Sequence, residues 1–234
     1  DRIHLNHEIQ EIDIDAKHVR FTNGKVESYD ILITTLPLDL FVKSCTSVPE
    51  AVTLATEGLI HNGGLIVGLG FDEHRDDTKC WMYFPESNSP FYRVTNFHNY
   101  SRYNVPNGAI DRHFSLMCET TYSPHKPQDK AAIIDETIQG LLNSGMISEY
   151  ERDQIISRYL IDIPYSYPVP TLSRDKALQT IQPYLEAQGV YSRGRFGAWK
   201  YEVGNMDHSF MQGVEVVDRI LHQGSEPTLN GTTS

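Results

Sequence analysis

Gly194-Arg195-Phe196-Gly197-Ala198-Trp199-Lys200-Tyr201-Glu202-Val203-Gly204-Asn205-Met206-Asp207-His208-Ser209 sets glycines and a helix start directly behind a β-prone run, Gly189-Val-Tyr-Ser192. Beyond it, from Asp207 or His208 to His222, Phe210, Met211, Val214, Val217, Ile220 and Leu221 recur at helical spacing. Glycine lets backbone approach a ligand closely. The first turn of the helix offers unpaired N–H groups and the positive end of its dipole. That combination suits an anion or a ring carbonyl. The plain alternative is a loop followed by a helix capped by Asp207 or Ser209.

Working outward, Arg174 to Ala187 reads as a helix, and the Pro-rich, aromatic segment 164–172 before it as extended chain. Ser148 to Tyr159 is predicted as a helix from its Ser-x-x-Glu capping box. Gln128 to Leu142 is predicted as a helix from Ile133, Ile134, Ile138, Leu141 and Leu142. Residues 65–71, 80–84, 92–97 and 113–119 read as strands between Pro, Asn, Gly and Ser loops. Pro49 to Leu59 is a short helix, and the aliphatic run 30–37 a buried, parallel strand. At the start, 8–14 is a strand, and 18–22 and 25–29 flank Asn23-Gly24 as a hairpin with a type I′ turn. The tail 223–234 reads as polar and frayed. The expected class is α/β with α+β character, a mainly antiparallel central sheet and flanking helices.

With 234 residues, hydrophobic residues at 39% and charged residues at 22%, the chain can bury a core and is not disordered. A net charge of −11 and a pI near 5.3 argue against nucleic acid as a partner, which needs basic surface. No apolar run is long enough to span a membrane, and no signal peptide is visible. The widely spaced cysteines 45, 80 and 118 show no metal pattern and read as reduced core thiols of a cytoplasmic protein; no metal is expected. Asp1 opens directly into strand-like sequence, as if inside a longer protein.

Catalytic signatures are mostly missing: there is no GxSxG, HExxH, P-loop or complete GxGxxG. Two further segments stand out. In Trp81-Met-Tyr83-Phe-Pro-Glu and Pro90-Phe-Tyr92-Arg93, continuing to Asn99-Tyr100-Ser-Arg-Tyr103, aromatics alternate with Arg and Asn. Such a mixture can stack on a base or sugar and grip phosphate, or form an aromatic sheet core with Arg in solvent. Tyr165-Ser-Tyr167-Pro-Val-Pro-Thr171 holds Tyr167 on a Pro-stiffened segment, as a preorganised hydroxyl or a mere connector.

Taken together, the three segments resemble the flavin-containing amine oxidase/protoporphyrinogen oxidase superfamily, and in detail the eukaryotic-type UDP-galactopyranose mutases. The matching strings are Gly-Arg-Phe-Gly, Tyr-Glu-Val-Gly-Asn and Asp-His-Ser-Phe-Met from 194 onward, Tyr-Phe-Pro-Glu with Pro-Phe-Tyr-Arg from 83, and Tyr-Pro-x-Pro-Thr-Leu from 167. The similarity runs over roughly 1–222. It implies the C-terminal part of a two-domain flavoprotein: late strands of the FAD domain in 1–44, a substrate-binding sheet with helices in 45–188, and an FAD-contacting strand, loop and helix in 189–222. It implies a UDP-sugar substrate, with Arg93, Tyr100 and Tyr167 at the diphosphate, Tyr83 near the nucleotide and Tyr201 toward the substrate. Arg195 and Asn205 would serve catalysis, and Gly194, Arg195, Gly204, Asn205, Met206 and Ser209 would line FAD. The implied reaction interconverts UDP-galactopyranose and UDP-galactofuranose for cell-surface polysaccharide synthesis, by covalent catalysis on reduced flavin. The N-terminal dinucleotide-binding unit is missing from the sequence, so a partner segment is expected to supply it, and this chain alone is expected to hold FAD weakly or not at all. The same helix motif would also serve an amine oxidase or protoporphyrinogen oxidase-type oxidoreductase, or a catalytically silent nucleotide-sugar-binding homologue.

Overall fold

The computed structural model describes residues 2–231 and divides into two compact units, one from 1–61 with 167–234 and one from 62–166. The chain passes between the units after His61 and after Ser166.

In the first unit, β1 (Ile9–Asp13), β2 (His18–Phe21) and β3 (Val26–Ser28) form an antiparallel meander. The Asn23-Gly24 hairpin forms without the type I′ turn. Only Gly24 takes positive φ, at 83°, while the Gly24 N–H donates to Phe21 O and the Phe21 N–H to Lys25 O, both at 2.9 Å. This is a type I turn closed by a glycine bulge, the three-residue alternative open to the same dipeptide. β4 (Leu32–Thr34) leads to α1 (Leu38–Ser44), after which β5 (Cys45–Thr46) adds to β1 in parallel, and α2 (Glu50–Ala55) follows.

The second unit is a five-stranded sheet. In chain order it holds β6 (His61–Phe71), β7 (Trp81–Tyr83), β8 (Arg93–Asn96) and β9 (Phe114–Tyr122). Next come α3 (Ile133–Asn143), α4 (Glu149–Asp153) and β10 (Ile155–Pro168); the sheet order is β10-β6-β9-β8-β7. Residues of alternate parity point to opposite faces. Leu65, Val67, Leu69 and Phe71 of β6 thus join Val94, Phe114, Leu116 and Cys118 on the face packed against Ile133, Ile138 and Leu141 of α3. Phe71 and Phe114 stack at 4.1 Å. Burying such side chains stabilises by roughly 1.5–3 kcal/mol each.

Two predicted helices change here. The first starts at Ile133, later than expected. The second shrinks to α4, although its capping box forms: Ser148 Oγ accepts from the Glu151 N–H and the Glu151 carboxylate from the Ser148 N–H. A cap fixes only where a helix begins. From Ile155 onward, Ile155, Ile156, Tyr159, Ile161, Ile163, Tyr165 and Tyr167 favour strand and extend the sheet beside β6. Pro164 is tolerated because β10 is an edge strand.

The chain then returns to the first unit with α5 (Arg174–Ala187) and β11 (Val190–Ser192), which pairs with β4 in parallel as expected for a βαβ-type layer. α6 (Met206–His222) and α7 (Pro227–Asn230) complete it. α6 buries Gln212, Glu215 and Val216 and exposes Met206, Phe210, Met211, Val214, Val217 and Leu221, nearly inverting ordinary amphipathicity. The expected frayed tail is built in as far as 231: Glu226 is 2% exposed, and α7 follows it. Residues 232–234 of that tail lie outside the described residues. Cys118 is a core thiol and Cys45 half-buried, with burial pushing its thiol up to about 12, but Cys80 is exposed, just before the sheet's outermost strand.

Candidate functional site

Residues singled out from the sequence fall into one group in each unit. In unit 62–166, β7, β8 and β9 bring Tyr83, Arg93 and Glu119 into one cross-strand row, on the face opposite the α3-packed core. Neighbours in such a row lie within side-chain reach. Arg93 Nε donates to Glu119 Oε1 at 2.7 Å and Nη2 to Glu119 Oε2 at 2.6 Å. The Tyr92 hydroxyl donates to the same Oε2 at 2.9 Å. This fork leaves the Nη1 edge of the guanidinium outside it, and the Tyr83 side chain also hydrogen-bonds the guanidinium. Burial works against the charge on Arg93, but the Tyr83 and Glu119 contacts outweigh it and raise its pKa. The guanidinium carbon lies 6.0 Å from the Tyr83 ring centre.

Tyr83, Trp81 and Tyr100 are about half exposed or more, and the Trp81 and Tyr100 rings lie near parallel at 6.3 Å. Desolvation, then the Cys80 thiol, hold the Tyr100 phenol above its usual value of 10.0, so it is a hydroxyl donor at neutral pH. The surface therefore offers guanidinium and phenol donors beside flat rings, as a nucleotide diphosphate requires. On the same side of the sheet, Gly68, Gly70, Met117 and Tyr159 line an apolar groove of about 600 Å³.

In the other unit, the Arg195 guanidinium lies 4.8 Å from the centre of the Tyr167 ring, and its Nε donates to Gly204 O at 2.8 Å. Tyr167 and Tyr201 meet edge-on at 5.9 Å. The first turn of α6 follows at once. Its N-cap is Asn205, not Asp207 or Ser209, and no side chain caps it. Met206 is 88% exposed at this end, with Phe210 one turn on. Ser209 donates its N–H to Asn205 O at 2.8 Å, inside the helix. Gly194 takes φ 85°, where a side chain would be strained, and gives its N–H to Gln212 Oε1 at 2.8 Å. Gln212, fully buried, returns its amide to Val203 O at 2.9 Å, tying both glycine-bearing stretches to α6. Trp199 is buried with φ 54°, an uncommon conformation for a bulky residue, so the loop is held rather than slack. An exposed helix start with uncapped N–H groups and an apolar flank fits a flat ring carrying carbonyl acceptors.

Three important residues carry no signal in the sequence. Glu119 stands between Cys118 and Thr120 and Gln212 between Met211 and Gly213, with no motif around either, and Glu226 lies in a tail of polar composition. Glu226 is the centre of a buried cluster: Arg193 donates to it at 2.5 and 2.7 Å, and Arg219 at 2.7 Å. Both arginines also reach Glu186. A cavity of about 710 Å³, lined by Arg174, Gln182, Lys200, Glu202 and Leu229, includes none of the candidate residues. Among the described residues, no group of three or more His, Cys, Asp and Glu could hold a metal, and no helix is long and apolar enough to cross a membrane.

No protein-family profile matches the chain. A crystal structure of a reduced UDP-galactopyranose mutase superposes with a TM-score of 0.90 at 39% identity, over 98% of this chain and 50% of that one. A fatty acid isomerase from P. acnes, described as producing CLA, superposes at 0.64 with 13% identity, over 92% of this chain and 47% of that one. An oxidoreductase from Methanosarcina mazei superposes at 0.56 with 14% identity, over 89% and 48%. The last two show a shared fold alone. The chain spans about half the length of these proteins. It therefore shares the mixed α/β fold, with its antiparallel sheet and flanking helices, that runs through these isomerases and oxidoreductases.

Proposed function

We propose that this chain carries the substrate-binding residues and the C-terminal flavin-contacting segment of an isomerase that interconverts UDP-galactopyranose and UDP-galactofuranose. The 39% identity to a UDP-galactopyranose mutase over nearly the whole chain supports it. The single structural observation that carries it is the Arg93 guanidinium, anchored on one edge by Glu119 and flanked by exposed aromatic rings. In this assignment Arg93 and Tyr100 donate to the diphosphate, and Tyr83 lies along the nucleotide. In the unit of residues 1–61 and 167–234, Tyr167 and Tyr201 are the side chains assigned to face a substrate.

Asn205, Met206 and the first turn of α6 would meet FAD, with Gly194 and Gly204 shaping the approach and Ser209 holding the turn. Reduced flavin, when bound, supplies the nucleophile for the anomeric carbon of the sugar. Arg195, steadied on Gly204 O and the Tyr167 ring, would keep a fixed positive charge at the flavin and sugar, and Asn205 would orient them. The reaction would serve cell-surface polysaccharide synthesis from the cytoplasm.

The test is direct. The protein, supplied with FAD and reduced with dithionite, is given UDP-galactofuranose, and products are separated by chromatography. UDP-galactopyranose as product is the expected result. No sugar product, together with oxygen consumption driven by an amine, would make it an oxidoreductase instead.

A further inference from the structure

We propose that Glu119 is a positioning residue: it grips Arg93 by the Nε/Nη2 edge and so presents the Nη1 edge to a phosphate-bearing ligand. The inference rests on the proposed UDP-sugar site and adds a residue to it. Three observations carry it. First, both Glu119 oxygens are engaged, Oε1 by Arg93 Nε and Oε2 by Arg93 Nη2 and the Tyr92 hydroxyl. A carboxylate held at three points cannot swing, and neither can the guanidinium forked onto it. Second, the burial is lopsided: the Glu119 side chain is 8% exposed and that of Arg93 22%. The acid is the fixed base of the pair and the arginine its outward tip. Third, Arg93 faces Glu119 directly across the β8–β9 ladder, and the Tyr92 N–H donates to Glu119 O at 3.0 Å. The backbone itself sets the distance between the two side chains.

Charge alone makes the opposite forecast. Glu119 cancels the positive charge of Arg93, so removing it should strengthen binding of an anion. If geometry governs, Glu119→Gln weakens binding. The Gln amide would then set a donor against the Nη2 or Nε donors of Arg93 and turn the guanidinium off line.

The experiment is a calorimetric titration of the 234-residue chain with UDP. Arg93→Ala should abolish most of the heat, and Glu119→Gln should weaken binding about tenfold, the scale of one charge-assisted contact. Glu119→Gln should add nothing in the Arg93→Ala background, because a residue acting only through Arg93 loses its effect with it. Tyr92→Phe leaves the ion pair whole and gives a weaker loss, about threefold, should Glu119→Gln fail to fold. Unchanged or tighter binding in Glu119→Gln or Tyr92→Phe, with Arg93→Ala still defective, overturns the positioning role alone. No UDP binding by the native chain, or none lost in Arg93→Ala, overturns the UDP-sugar site itself.

Discussion

Two arginine–glutamate clusters, one in each unit, use the same side chains to different ends. Arg93 and Glu119 sit on one sheet face with the guanidinium edge outward, 22% exposed. Arg193, Glu226, Arg219 and Glu186 interlock so that Arg193 is 1% and Glu226 2% exposed. Buried charge is costly unless every group is paired, and the second cluster pairs all of its own. Its inner members, Arg193 and Glu226, are enclosed, only Arg219 reaches the surface, and the cluster fastens the tail to β11 and α6. The first keeps the Nη1 edge of its arginine outside the Glu119 fork. Ion-pair count therefore says nothing about which arginine binds a ligand; a guanidinium set among exposed aromatic rings does.

The comparison can be broken by mutation. Arg193→Ala should cost the most, about 3–5 kcal/mol, because it strands the buried Glu226 carboxylate. Denaturant unfolding would show it as a lower midpoint. Arg93→Ala should cost less, about 1–3 kcal/mol, since its pair is open on one side, yet it should lose UDP. Equal destabilisation would erase the distinction. Gln212→Ala should cost about 1–2 kcal/mol by unpairing Gly194 N–H and Val203 O, read from the melting temperature. Gly24→Ala, at φ 83°, should cost about 1 kcal/mol and leave UDP binding alone.

Acid should act on the second cluster through Glu226. Burial would raise the pKa of Glu226, but its hydrogen bonds from Arg193 and Arg219 prevail and hold it below its ordinary 4.5. Its folded pKa is depressed, so its stability contribution is complete above about 4.5 and is lost as pH falls through the lower folded value. Melting temperatures between pH 6 and 3 should fall more steeply in the native chain than in Glu226→Gln. Parallel curves would remove Glu226 as the acid-sensitive group.

Local pattern made much of this legible. The strand–loop–helix order around Gly194–Ser209, the hairpin at Asn23-Gly24 and the α3-facing alternation of β6 follow from short-range periodicity and turn chemistry. β10 was hidden because the Ser148 capping box dominates its first residues, while the pairing that makes it a strand comes from β6, over eighty residues away in sequence. Arg93 is visible as an arginine among aromatics, but Glu119 is visible only once β8 and β9 are in register. Glu226 needs the whole buried cluster to explain it. Glu119, Glu226 and β10 each take their role from a partner distant in sequence.

The central claim is that Arg93, and no arginine of the other cluster, offers its edge to a UDP-type ligand. NMR of the chain labelled with ¹⁵N-arginine, titrated with UDP, tests it most directly. The Arg93 side-chain signal should shift saturably while those of Arg193 and Arg219 stay put. An unmoved Arg93 signal, or a common drift of all three, would contradict it.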